Sequence, residues 1–222
     1  MNGRKKCVLF FALLMVLLGA HKGESFIIIN ELLADPATGL AGDANGDGLS
    51  SSTNDEFVEL LNYGNSSVNI SGWSIKDAIS TRHIFPTNTI LSPYEYLVVF
   101  GGGSVNLPGA KWQLASSGGL SLNNTAETVT LVDGSLNLID QVIYGSIASH
   151  DQSIVRSPEG AGALFVLHTS VPESQGRLFS PGTSASGQPL AETTTVPEWP
   201  TLVLLSFGLI SLKVFRIGLN EK

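Results

Sequence analysis

Cysteine is almost missing from this 222-residue chain: the one that occurs, Cys7, stands beside the N-terminal apolar run. The rest of the chain therefore has no disulfide, no zinc–thiolate centre and no cysteine nucleophile. Charge is also scarce, at 14% against about 25% in an average soluble domain. Basic residues are scarcest. Between Glu24 and Leu190 five of them (Lys76, Arg82, Lys111, Arg156, Arg177) stand against sixteen acids, which leaves −11. Without cations to displace counterions along a phosphate chain, such a surface is repelled by nucleic acid and by anionic headgroups, so no nucleic-acid partner is expected. Gly and Pro, at 24 and 10 residues, are too few for a collagen-like or low-complexity chain. Long apolar runs occur only at the two ends, and the span between them is large enough for a proper core.

Both ends read as addresses. In residues 1–23, Arg4, Lys5 and Lys6 precede the apolar stretch Val8–Leu18, and Gly19-Ala20 supplies small residues near a cut. That order is the pattern of a secretory signal peptide, too short to span a bilayer. At the other end a Thr/Pro linker, residues 186–195, leads into Val196-Pro197-Glu198-Trp199-Pro200, an apolar run from Leu202, and then Lys213, Arg216 and Lys222. A run of this length is a single membrane helix that just crosses a bilayer core, with its bases held inside and the domain outside. The segment 196–222 resembles the PEP-CTERM sorting signal, with Val196, Pro197, Glu198 and Pro200 as its recognition element. The resemblance implies an exosortase-type processing enzyme as a partner. Trp199 departs from that pattern by pushing the second proline one place on.

Between the ends, short β-branched and apolar runs alternate with Gly, Asn, Asp and Pro. Strands are expected near Phe26–Leu32, Glu56–Asn62, Val68–Ile75, Arg82–Phe85, Tyr94–Phe100, Lys111–Leu114, Leu120–Asn123, Thr128–Val132, Leu138–Tyr144, Ser153–Arg156 and Leu164–His168. Asp133-Gly134-Ser135 is the clearest hairpin turn. No helical period competes, so the pattern predicts an all-β chain folded as an antiparallel β-sandwich. From Gln175 to Glu192 the period is lost, as in a linker. Trp73 reads as a core aromatic, Asn30 and Asn62 as side chains satisfying backbone at strand ends, and Phe85-Pro86 as a strand stop.

Five motifs then follow in order: Ile29-Asn30-Glu31-Leu32-Leu33, Glu56-Phe57-Val58-Glu59-Leu60-Leu61-Asn62, Gly72-Trp73-Ser74-Ile75, Leu97-Val98-Val99-Phe100-Gly101 and Ser180-Pro181-Gly182-Thr183. This series resembles the lamin-tail domain over residues 25–185. The resemblance implies an immunoglobulin-like antiparallel β-sandwich that binds or supports rather than catalyses.

One constellation carries chemistry. No base lies between Gly23 and Ile75, while eight acids do, and at their centre stands Asp43-Ala44-Asn45-Gly46-Asp47-Gly48. Oxygen side chains at alternate positions followed by Gly open a calcium loop of EF-hand type. The expected ligands are Asp43, Asn45, Asp47, the Leu49 carbonyl, Asp55 and Glu56, the last two displaced by one and two places from the usual bidentate position. The alternative is a solvated Asx/Gly turn. No HExxH zinc pattern, GxSxG elbow or phosphate loop is present. The reading is an exported, non-enzymatic protein of the cell surface or extracellular matrix, with a structural or adhesive role among polysaccharide or envelope components. The alternatives are an accessory module for a separate secreted phosphoesterase or nuclease, and a carbohydrate-binding sandwich using Trp112, Tyr94 and Tyr96.

Overall fold

The computed structural model describes residues 27–189. Twelve strands follow one another there: β1 (Ile27–Leu33), β2 (Phe57–Asn62), β3 (Val68–Asn69), β4 (Ser74–Lys76), β5 (Thr81–Ile84), β6 (Ile90–Leu91), β7 (Tyr96–Phe100), β8 (Trp112–Leu114), β9 (Glu127–Val132), β10 (Leu138–Tyr144), β11 (Ile154–Ser157) and β12 (Leu164–Leu167). No α-helix occurs among the described residues, only single 3₁₀ turns. The strands form a six-stranded sheet in the order β12-β11-β1-β2-β7-β8, a four-stranded sheet β10-β9-β4-β5 and a β3-β6 pair. All pairings are antiparallel except β7 with β8. The chain crosses back over the sheet through residues 101–111 before β8 begins, so it enters from the same end as β7.

Side chains alternate across a strand, and the central strands use both faces. Val58, Leu60, Leu97 and Val99 point between the two sheets, where they meet Ile75, Phe85, Val129, Leu131 and Val142. Phe57, Val98 and Phe100 point the other way and form a second, smaller cluster with Leu33, Leu107 and Phe179. Loops rather than a third sheet cover that outer face.

A bulge in β1 decides which face receives its carboxylate. Ile29 pairs with Leu60 and Glu31 with Glu59, leaving Asn30 as the extra residue. A strict alternation from Ile27 and Ile29 would drive Glu31 into the apolar core. The inserted residue reverses the parity, so Glu31 lies on the outer face while Leu32 returns to the core.

Three expectations differ from the fold. Val68–Ile75 is two strands, because Gly72 takes a left-handed turn (φ 77°) and the Trp73 amide bonds back to the Ile70 carbonyl at 3.0 Å. Leu120 and Leu122 are buried but form no strand, since Ser121 is left-handed (φ 52°). Residues 175–189 are seated on the sheet although they carry no periodic pattern. The Asp133–Asn137 turn joins β9 to β10 as expected, and Phe85-Pro86 ends β5.

Candidate functional site

The loop between β1 and β2 winds around its own carboxylates. Asp43 accepts hydrogen bonds from the amides of Asp47 (3.0 Å) and Gly48 (2.8 Å), Asn45 Oδ1 accepts from Asp47 (3.0 Å), and Asp47 accepts from Leu49 (2.9 Å). Gly46 and Gly48 supply the left-handed turns (φ 73° and 85°) that this winding needs. Asp55 lies beneath the loop as a clamp. Its Oδ1 accepts from Ala44 and Asn45 and its Oδ2 from Ser51, at 2.7–3.1 Å.

A glycine turn forms the opposite wall. The Gly101 amide bonds to the Glu56 carbonyl and the Gly102 amide to the Asn54 carbonyl. A Cβ on Gly101 would lie 1.9 Å from the Thr53 carbonyl oxygen, and one on Gly103 2.7 Å from Asn45 Nδ2. The Ser104 amide reaches Asp47 Oδ2 at 3.2 Å, and the Asn106 amide reaches the Asn45 carbonyl at 2.8 Å. These loop partners were not legible as such; the Gly101-Gly102-Gly103 run was their only sign.

The structure thus brings Asp43, Asn45, Asp47 and Asp55 into one network, with Leu49 exposed at its rim. It separates Glu56 from them. The Glu56 carboxylate turns into the interior and accepts from the Leu122 amide at 3.3 Å, and burial pushes its pKa up to about 7. Asp55 is likewise raised by burial, against the pull of its backbone donors. Among the described residues no three His, Cys, Asp or Glu side chains are arranged to hold a metal ion. Asp43 and Asp47 remain partly exposed on the loop beside the exposed Leu49, while Asn45 is fully buried. That leaves far fewer than the six to eight oxygens that calcium takes. Val196, Pro197, Glu198 and Pro200, the leader and the apolar tail lie outside the described residues.

On the outer face of the large sheet, Glu31 and Glu59 stand directly opposite one another and are fully buried. Like charges in that position repel. Burial raises Glu59 well above the usual carboxylate range and the Glu31 charge adds to the rise. Donors arrive from several elements. The Asn30 amide bridges Glu59 (3.1 Å) and Glu159 (3.0 Å), Tyr96 donates to Glu159 (3.0 Å), and the backbone amides of Gly182 and Ala185 bond to Glu59 and Glu159. Asn30 therefore serves carboxylates rather than a strand end. Asn62 does bond to backbone, donating to the carbonyls of Ser66, Leu91 and Ser92. Sequence reasoning missed the carboxylate cluster, though Glu31 and Glu59 within otherwise apolar motifs were its signal.

The aromatic candidates separate as well. Trp112 lies on edge strand β8 and is 40% exposed. Tyr94 borders a cleft of about 290 Å³ with Ser92, Glu95, Lys111 and Pro189. Tyr96 is buried, with its hydroxyl committed to Glu159.

The polar residues of the first two motifs are thus engaged within the fold: Glu31 and Glu59 hold the closing Ser180–Gly182 segment, Asn30 holds Glu59, and Asn62 ties β2 to β6. No curated protein matches the chain. The Lamin Tail Domain family model matches residues 21–146, more than half of the length, over β1–β10 and the acidic loop but not β11, β12 or the closing segment. The chain belongs to the lamin tail domain family.

Proposed function

We propose that this protein is an exported, non-enzymatic surface or matrix component whose lamin-tail sandwich serves a structural or adhesive role. The observation that carries the reading is the use of the motif side chains. The acids and amides that could do chemistry are buried and hold the chain to itself, so contact with a partner falls to loops and edges. The basic-then-apolar leader and the Val196–Pro200 element with its apolar tail support export and processing by an exosortase-type enzyme.

Calcium enters this reading as a ligand of the outward half of the Asp43–Leu49 loop. Asp43, Asp47 and the Leu49 carbonyl would hold it, with water completing the shell. It would neutralise an acidic stretch that has no cation of its own. So few protein ligands imply weak, extracellular-type affinity, on the order of 10⁻⁴–10⁻³ M. Titrating the full chain with calcium should raise its melting temperature over chelator at millimolar concentrations; an unchanged melt discards the metal.

Fractionation of the native host followed by intact mass tests the whole proposal. Mature chain outside the inner membrane, lacking the leader and everything past Pro197–Thr201, supports it. Chain retained in the inner membrane with Leu202–Lys222 still attached would replace sorting with plain anchoring. A second reading, carbohydrate binding, is favoured by the exposed Trp112. Retention on immobilised polysaccharide that Trp112→Ala abolishes would establish it.

A further inference from the structure

Beside the Glu31–Glu59 pair runs a buried chain of polar atoms with fewer hydrogens than contacts. It starts at the Leu178 carbonyl and passes to Ser153 Oγ (3.2 Å) and on to Glu31 Oε1 (2.6 Å). From Glu31 Oε2 it continues to Ser180 Oγ (2.6 Å), to His168 Nε2 (2.9 Å), and from Nδ1 to the Arg177 carbonyl (2.7 Å). Glu31, Ser153 and His168 are fully buried and Ser180 nearly so. Two serine hydroxyls and a neutral imidazole bring three hydrogens to these five contacts. The Arg177 carbonyl can only accept, so Nδ1 carries the imidazole hydrogen. If Glu31 is then ionised, the single Ser180 hydrogen has to serve both the carboxylate and Nε2. One of two close contacts is left with lone pairs facing each other, and a buried anion has no counter-ion.

One additional proton removes both faults. Placed on Glu31, it is donated to Ser180 Oγ, whose own hydrogen passes to Nε2. Placed on Nε2, it is donated to Ser180 Oγ, whose hydrogen passes to the carboxylate. The heavy atoms stay where they are, every contact from Glu31 to Arg177 is made, and Glu31 plus His168 carry no net charge in either form.

We infer that Glu31, Ser180 and His168 share one proton, and that this proton latches the closing segment 177–182 onto β1. The surroundings leave no other counter-ion for Glu31. Glu59 faces it from β2, and Glu159 and Tyr96 lie beyond. Arg156 is turned to Asp140 and to the Ile29 and Gly162 carbonyls, and Arg177 to Ser174 and Gly187. Burial raises the Glu31 carboxyl, the direction that keeps a proton in the pair. The Ser180 amide also bonds to Glu31 Oε1 (2.9 Å) and the Ser153 amide to the Leu178 carbonyl (2.9 Å), so the proton-bearing chain and the segment's backbone are held at the same place.

The folded latch holds its proton, whereas an unfolded chain has lost it from both glutamate and histidine above about pH 7. Opening of the segment is therefore favoured as pH rises, by about tenfold per pH unit until the latch itself deprotonates. Arg177 is exposed, and the Arg177–Leu178 bond is a trypsin site that opening presents. In the full chain, cleavage there, normalised to an unstructured reporter peptide, should accelerate between pH 7 and 9. In Glu31→Gln, whose amide is a permanent donor to Ser180, it should stay slow and flat. Equal pH dependence in the two proteins overturns the latch. Should the variant fail to fold, the ¹⁵N shifts of His168 and the carboxyl ¹³C shift of Glu31 in wild type decide at pH 6–7. One proton between the two groups supports the inference; none or two overturns it.

Discussion

Glu56 is the residue where burial has a readable thermodynamic consequence. Its folded pKa of about 7 stands above the ordinary glutamate value of 4.5. Between those values the folded state keeps a proton that the unfolded chain has released, so Glu56 favours folding below about pH 4.5 and loses that contribution as pH rises to 7. Glu56→Gln keeps an acceptor for the Leu122 amide and removes the ionisation. Melts at pH 5 and pH 8 should show a shallower decline for the variant, by up to about 3 kcal/mol; an unchanged slope would mean Glu56 is ionised in the fold. Gly182 tests packing rather than charge. It is left-handed (φ 83°) and its Cβ would meet the Ala110 Cβ at 2.6 Å. Gly182→Ala should cost on the order of 2 kcal/mol and lower the melting temperature measurably. The Gly–Pro–Ser composition of this segment was visible in the sequence, but its meaning was not. A carboxylate twenty or a hundred and fifty residues away leaves no mark on the local pattern that it holds.

At the scale of elements, the β9–β10 hairpin carries a local conflict. Leu136 sits left-handed (φ 66°) in the turn and is exposed, while Asp133 accepts from the Ser135 and Asn137 amides at 2.8 Å. A leucine in that conformation costs about 1–2 kcal/mol, which asparagine largely avoids. Leu136→Asn should therefore raise the unfolding free energy by about 1 kcal/mol in denaturant titration, with the denaturant slope unchanged. The closing segment is a stronger case. Phe179 covers Phe57 and Phe100, and the amides of Ser180, Gly182 and Ala185 cap three glutamates. Removing residues from 175 onward should leave Glu31 and Glu59 opposed with only Ser153 and Asn30 as donors, and circular dichroism should then show no cooperative melt. Strands β2, β7, β9 and β10 were legible within a residue or two because each is a short apolar or β-branched run, buried on both faces in β2 and β7, that presents at least one face to a core. Leu120–Leu122 mimicked one of them. Its two leucines are indeed buried, but a left-handed Ser121 between them prevents any ladder.

At the scale of the molecule, the described residues form a sandwich with one apolar core between the sheets and one polar-edged face closed by loops. The acidic balance that discourages phosphate partners is partly internal, since Glu31, Glu56 and Glu59 are buried and do not contribute to the outward field as exposed acids do. Composition, alternation and turn residues are local properties, and they were enough to indicate an all-β domain and the position of the acidic loop, while the ordered motifs carried the resemblance to its family. Three matters required the folded chain. The β1 bulge set the side of the sheet on which Glu31 lies, which no count of alternating residues could reveal, because a single extra residue reverses every later position. The calcium-like spacing was divided, with Asp43 and Asp47 left partly exposed while Asn45 was buried and Asp55 and Glu56 were drawn inward to backbone amides. Residues from opposite ends of the domain were joined into a proton-sharing chain. Such pairings depend on distances through space between groups far apart in the chain, whereas strand patterns depend only on neighbours.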